Sequence, residues 1–292
     1  MWEEGVRIWV RMEGHQAGNH LYDSAGSRLY GVKSCALSHR LLFLHRLAIS
    51  AISAWPGTNL ARSRSIVRIW TWPKAGGLNF AGIMAYLPLF PLKLVAFPGE
   101  RLNLHIFEPR YRQLITECTD KGRTFGIPTF LDGTLPGYGT EMEVLEVTNQ
   151  HANGNMDIKT RGLRVFQLTS FDNPAPGKLY AGGQVARWPE PEERPYVMPE
   201  LLVLVERLYR VFETELRSNP KLPQPYSYQI GHGVGLPTEA EYELLTLESE
   251  TERQEFLYEH LQEVMPIIEN MERAKERIRM NGHFREFGEL NF

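Results

Sequence analysis

Two cysteines in 292 residues, Cys35 and Cys118, are too few for a disulfide framework or a four-cysteine zinc site, and they show no ligand spacing. A reducing compartment is expected, with Cys118 a small buried apolar side chain on a helix and not a reactive thiol. Long apolar runs are missing too. The nearest approach, Ala36 to Trp55, is interrupted by His39, Arg40, His45 and Arg46. Charges at the centre of a spanning helix are costly, so no transmembrane segment is read there. Glu3 and Glu4 stand where a secretory signal would be positive. Motifs that carry chemistry are equally scarce. There is no G-x-x-x-x-G-K-[ST] run, and the only Gly-Lys pair, Gly177-Lys178, is followed by Leu179. Nothing obvious therefore cradles ATP phosphates. No H-E-x-x-H, no G-x-S-x-G and no paired Cys/His spacing occurs. No catalytic, cofactor-binding or metal-binding residue is assigned.

What is present is the composition of an ordinary globular protein, 42% hydrophobic and 23% charged, with a net charge of -3 that points to no particular partner. The charge is unevenly spread. Residues 1–83 hold 10 Lys and Arg against 4 Asp and Glu, whereas residues 84–292 hold 22 against 31. Five of the six tryptophans fall in the first part, yet no strand or helix period persists there. That stretch suits an acid-poor targeting segment, a small extra domain, or an upstream extension. A coherent pattern starts at Met84, which favours the last: translation is expected to begin there, leaving 1–83 a disordered or spurious extension.

From Met84 the chain reads as short strands. Leu87 to Leu92 is apolar but broken by Pro88 and Pro91, which suits an edge strand at the mouth of a barrel. After a Pro98-Gly99 turn, Leu102, Leu104 and Ile106 alternate with polar neighbours. Pro109 then opens a helix bearing Tyr111, Leu114, Ile115 and Cys118 on one stripe, and Lys121-Gly122 ends it. Phe125–Phe130 and Glu141–Val147 are the next strands, the latter with a phase switch that predicts a bulge. Asn153-Gly154 signals a hairpin into Met156–Thr160, and Leu163–Leu168 and Leu179–Val185 follow. Such a series indicates a closed or nearly closed antiparallel barrel.

The proline-rich stretch Pro189 to Pro199 separates this lobe from one with helical periodicity. Leu201, Leu204, Val205, Leu208, Val211 and Phe212 form one stripe; Phe256, Leu257, Leu261 and Val264 form another. Thr238-x-x-Glu241 and Ser249-x-x-Glu252 both fit a capping box. Pro266 is expected to kink the last helix, and Glu272 to Arg279 is expected to be its solvated continuation. His232, between Gly231 and Gly233, reads as a helix-end residue whose glycines permit close packing.

Leu87-Pro88-Leu89-Phe90-Pro91-Leu92, Phe97-Pro98-Gly99-Glu100 and Leu104 through Tyr111, with its Phe107-Glu108-Pro109-Arg110-Tyr111 helix start, resemble the opening of the LON substrate-binding domain. Gly162 to Phe166 looks like that family's Gly and Arg-x-Phe strand. Tyr228 to Gly231, with Gly235-Leu236-Pro237 and Leu244-Leu245, is similar to its helical part. The resemblance implies an α+β fold, a PUA-like antiparallel β-barrel followed by a small C-terminal helical bundle, with residues 84–190 as barrel lobe and 191–292 as helical lobe. It implies a non-catalytic, cytoplasmic module that recognises unfolded or tagged protein or peptide clients, in concert with a separate ATPase or protease, and without a membrane or a cofactor.

Four residues are singled out for peptide contact: Phe97 and Phe107, which flank the first full strand, and Glu108 and Arg110 at the helix start. At least one of the two phenylalanines is expected to be core. His105 is read as a hydrogen-bonded barrel residue. RNA is the rival partner, because PUA-like barrels elsewhere bind it. The acidic balance of 84–292 argues against that, although Arg110, Arg112, Arg161 and Arg164 would form a local cationic patch.

Overall fold

A computed structural model describes residues 84–189, 196–214, 218–219 and 224–283. The sequence expectations for 1–83, and those for residues 190–195 of the proline-rich stretch, fall outside these residues.

Six strands make the first lobe: β1 (Met84–Leu89), β2 (Arg101–Ile106), β3 (Phe125–Pro128), β4 (Tyr138–Gln150), β5 (Met156–Leu168) and β6 (Ala181–Arg187). Helix α1 (Pro109–Lys121) is inserted between β2 and β3. The strands run in the order β2-β5-β4-β3-β1-β6, and β6 pairs back onto the end of β5 through Phe166↔Arg187, Gln167↔Ala186 and Leu168↔Val185. Five strands therefore close a barrel, and β2 extends the sheet along the first half of β5. The ladders are antiparallel except the short parallel contact Leu89↔Gly126.

Closure corrects one expectation. β1 is not an edge strand; it lies between β3 and β6, because a closed ring leaves no edge. Pro88 is tolerated within it because β3 engages β1 only at its end, through Leu89 and a bond from Phe90 N to Gly126 O, and Pro91 lies beyond the strand. A second correction concerns β5, which is one continuous strand and not two. Gly162 interrupts the apolar alternation for a different reason: it is a point of close backbone approach. Gly99 N donates to Gly162 O at 2.9 Å and Gly162 N donates to Glu100 O at 2.8 Å. A Cβ at 162 would collide with the Phe97 carbonyl. The predicted irregularity in β4 is present as register shifts at Glu141/Met142, Val144/Glu146 and Val147/Asn149.

α1 behaves as its sequence dictates. Pro109 occupies its first turn, Gly122 ends it in the left-handed conformation, and Tyr111, Leu114, Ile115 and Cys118 face inward. They pack with Leu102, Leu104, Ile106, Phe125, Ile127, Met142 and Ile158 in the barrel interior. At roughly 1.5–3 kcal/mol for each large apolar side chain buried, this cluster supplies the lobe's main driving force. Burial also pushes the Cys118 thiol up to about 11, so it stays protonated and unreactive.

The second lobe contains α2 (Pro199–Val211), α3 (Tyr226–Ile230), a 3-10 turn (Gly231–Gly233), α4 (Thr238–Thr246) and α5 (Glu250–His283). α5 continues through Pro266, which lies inside the helix. The Ser249 capping box forms reciprocally: Glu252 N donates to Ser249 Oγ at 3.1 Å, and Ser249 N donates to Glu252 Oε2 at 3.1 Å. Ser249→Ala is expected to cost about 1 kcal/mol, read as a lower denaturant midpoint at unchanged slope. An unmoved midpoint would show that α5 does not depend on this cap. The box predicted at Thr238 does not form. Pro237 is the N-cap, without a side-chain bond, and Glu241 turns to His232 instead.

The two lobes share one buried seam. Phe97, Val95, Val165 and Trp188 from the barrel pack with Leu201, Leu208, Tyr228, Ile230, Leu244 and Leu257 from the bundle. Tyr242 donates its position to the seam as well, its hydroxyl accepting from Tyr138 N at 3.2 Å.

Candidate functional site

Around β2 the chain places the four candidate contact residues at two separate points. Phe97 lies before the strand and Phe107 after it, so about 20 Å of extended backbone separates them. They cannot line one short groove. Phe97 is 0% exposed. Its ring stacks on Tyr228 at 5.3 Å and meets His232 at 4.5 Å, and Gly231 is glycine where a Cβ would strike that ring. Phe97 is therefore an interior residue of the seam and offers no surface to a partner. Its position follows from the apolar side chains it packs with, Tyr228 and Ile230 of the bundle among them, and from the room left by Gly231.

Beside Phe97, a charged triplet joins the lobes. His232 Nδ1 lies 2.7 Å from Glu241 Oε1 and its Nε2 lies 3.2 Å from Glu100 Oε2. Carboxylates only accept, so both ring nitrogens carry protons and the imidazole is a cation. Burial works against that charge, but the Glu241 and Glu100 carboxylates overcome it and hold the His232 pKa well above the usual range. Glu100 Oε2 also accepts from Phe97 N at 2.9 Å, which closes the turn. His232 is thus more than a helix end; it ties the barrel turn to α4.

Phe107, Glu108 and Arg110 remain together at the outer end of β2, where the strand passes into α1. Phe107 is half-buried and lies against the His105 ring at 6.2 Å. Glu108 is the extended N-cap of α1; its carbonyl accepts from Tyr111 N and Arg112 N. Its carboxylate pairs with Arg110 Nε at 2.7 Å, and the Arg110 guanidinium lies 4.6 Å over the Tyr111 ring. Glu108 Oε1 is buried and has no hydrogen-bond partner among the described residues. This corner combines an apolar ring, a fixed cation and an unmet acceptor.

Sequence reasoning missed what lies at the same end of the sheet. The outer part of β4, from Leu145 to Gln150, is exposed, and Leu145 and Val147 are its large apolar side chains. The phase switch in β4 was the signal: past the bulge the strand leaves the core. Also there are His105, His151 and Asp157, one ligand-type atom from each lying within 4.8 Å of the others. Burial disfavours the Asp157 charge, but hydrogen bonds to His105 and His151 leave its carboxyl below the usual range.

The cationic patch that would favour RNA is divided among partners. Arg110 pairs with Glu108, Arg161 with Glu143, Arg164 with Glu141 at 3.6 Å, and Arg112 donates to the Asn153 carbonyl. Such pairing weakens a phosphate-binding field. Among the described residues, no helix is long and apolar enough to cross a membrane.

Residues 86–263 match the ATP-dependent protease La (LON) substrate-binding domain family, a span that takes in the barrel and most of the bundle. Among solved structures, a Lon N-terminal domain protein from Xanthomonas campestris is similar at 28% identity, with a TM-score of 0.49, over 59% of this chain and 96% of that one. The N-terminal domain of a Mycobacterium avium complex Lon protease is similar at 18% identity, with a TM-score of 0.45, over 61% of this chain and 98% of that one. No curated protein matches the chain.

Proposed function

The chain belongs to the LON substrate-binding domain family, a non-catalytic class of protein-recognition domain, and from that premise we propose that it binds unfolded or tagged protein clients in protein quality control. The single observation that carries this reading is the family match over 86–263, because it spans both lobes and not the barrel alone. Lobes 84–190 and 191–292 act as one recognition unit in the cytoplasm, delivering clients to a separate ATPase or protease. Recognition proceeds by burial of apolar client side chains, without bond cleavage.

The contact surface assigned to this role is the outer end of β2 and β4: Phe107, Leu145 and Val147 as apolar anchors and Arg110 for an acidic or carbonyl group, with Glu108 fixing the Arg110 guanidinium. Exposed apolar groups flanked by charges are the usual mark of a contact site. Aromatic residues, Phe included, and Arg are enriched at protein contact surfaces. Phe107→Ala combined with Val147→Ser is expected to weaken binding of a permanently unfolded protein to the full chain about tenfold or more, while the melting temperature moves little. Fluorescence anisotropy with a labelled, reduced and alkylated protein reads the affinity. Unchanged affinity in the double variant would place recognition elsewhere on the molecule; no affinity in the parent chain would remove the reading itself.

A further inference from the structure

We propose that His105, His151 and Asp157 form a binding site for one divalent transition-metal ion of the zinc, cobalt or nickel class. His105 is 52 residues from Asp157 and is brought to it by strand register, whereas His151 is six residues from Asp157 across the β4–β5 hairpin. His105 on β2 stands directly across from Asp157 on β5. On the other side of β5, Asn149 of β4 stands across from the same Asp157. His151 follows at the start of the turn, which is pinned by bonds from His151 N to Asn155 O and from Gly154 N to His151 O. The chain thus places two imidazoles against the two oxygens of one carboxylate: His105 Nδ1 to Oδ1 at 2.6 Å, and His151 Nε2 to Oδ2 at 2.8 Å.

The donor set decides the class of ion. Two imidazole nitrogens and a carboxylate oxygen suit borderline metals such as zinc, cobalt and nickel, whereas calcium and magnesium take all-oxygen sites. Around a tetrahedral ion with bonds of about 2.0–2.1 Å, ligand atoms stand about 3.3–3.4 Å apart. The two hydrogen-bonded pairs stand at 2.6 and 2.8 Å, and all three ligand atoms lie within 4.8 Å of one another. An ion entering between nitrogen and carboxylate would require each pair to part by about 0.5–0.8 Å. The rings meet edge-on, at 5.6 Å and 69°, so neither blocks the other's nitrogen.

Phe107 lies against the His105 ring at an interplanar angle of 25° and restricts its orientation. Asn149 Nδ2 lies 3.4 Å from His151 Nε2, a contact that an ion bound to that nitrogen would displace. Side-chain exposures of 22% for His105, 38% for His151 and 37% for Asp157 give an ion direct entry from solvent. Three protein ligands leave at least one coordination position to water. Bound metal would link β2 to the β4–β5 hairpin.

Zinc titration of the full chain by calorimetry, with cobalt absorption as a second readout of the coordination sphere, tests the site. His105→Ala and His151→Ala are each expected to weaken zinc binding at least about tenfold, whereas His260→Gln, on α5, leaves it unchanged. His151 lies in a surface turn, so its substitution leaves the strand ladders intact. Zinc is also expected to raise the melting temperature of the parent chain and not of His151→Ala. Zinc affinity that is the same in the parent and both variants, or no zinc binding by the parent, would overturn the assignment and leave a hydrogen-bonded His-Asp-His group.

Discussion

Replacing His232 by alanine is expected to lower folding stability by about 2–4 kcal/mol, since it strands two carboxylates at the lobe seam. Glu241 and Glu100 both face the imidazole, with side-chain exposures of 15% and 12%, and neither has solvent enough to replace the lost cation. The His232 ring itself is 23% exposed, which keeps the figure below that of a fully enclosed triplet. The effect depends on pH with a definite sign. Because the folded pKa of His232 is raised, its contribution is complete below the ordinary histidine value of about 6.5 and is lost as pH rises through the folded value. The gap in urea midpoint between parent and variant should therefore be widest in mildly acidic buffer, where the two carboxylates remain ionised, and narrow in alkaline buffer. A gap that widens with pH would mean the imidazole is not held as a cation.

Phe97→Ala is expected to be comparably damaging, about 3–5 kcal/mol. The ring is fully buried, it is shared between the barrel turn and the bundle, and Gly231 makes room for it alone. Truncation leaves a cavity at the seam between the lobes, walled by Tyr228, His232 and Gly231. Phe97→Leu should recover much of the loss because it restores most of the volume. Phe107→Ala, at a half-exposed position, should cost no more than about 1 kcal/mol. The contrast separates the roles of the two rings: one holds the lobes together, the other is available to a client. Equal losses at 97 and 107 would contradict that division.

Local chemistry was legible and distant pairing was not. Pro109 and Gly122 bound α1 as their backbone preferences require, and Ser249 with Glu252 forms its box, because these signals operate within a few residues. Alternation gave the strands and the bulge in β4. The series of short strands pointed to a closed or nearly closed barrel, but it could not give the pairing that closes it, three pairs between β5 and β6, nor the reason Gly162 is glycine, which lies in the carbonyl of Phe97. Glu241 had two possible partners; the sequence offered Thr238, and the fold supplied His232, whose charge makes the stronger bond. The same limit hid the group formed by His105, His151 and Asp157. Spacing alone gives no hint that a strand residue and a hairpin residue will meet one carboxylate.

A titration of the full chain against a reduced, alkylated protein and against the same protein in its native fold, with matched RNA as a third ligand, bears most directly on client recognition. Saturable binding to the unfolded protein, at least tenfold tighter than to its native form or to RNA, with the client intact afterwards, is the expected result. Preference for RNA with a steep salt dependence, or indifference between folded and unfolded protein, would contradict it.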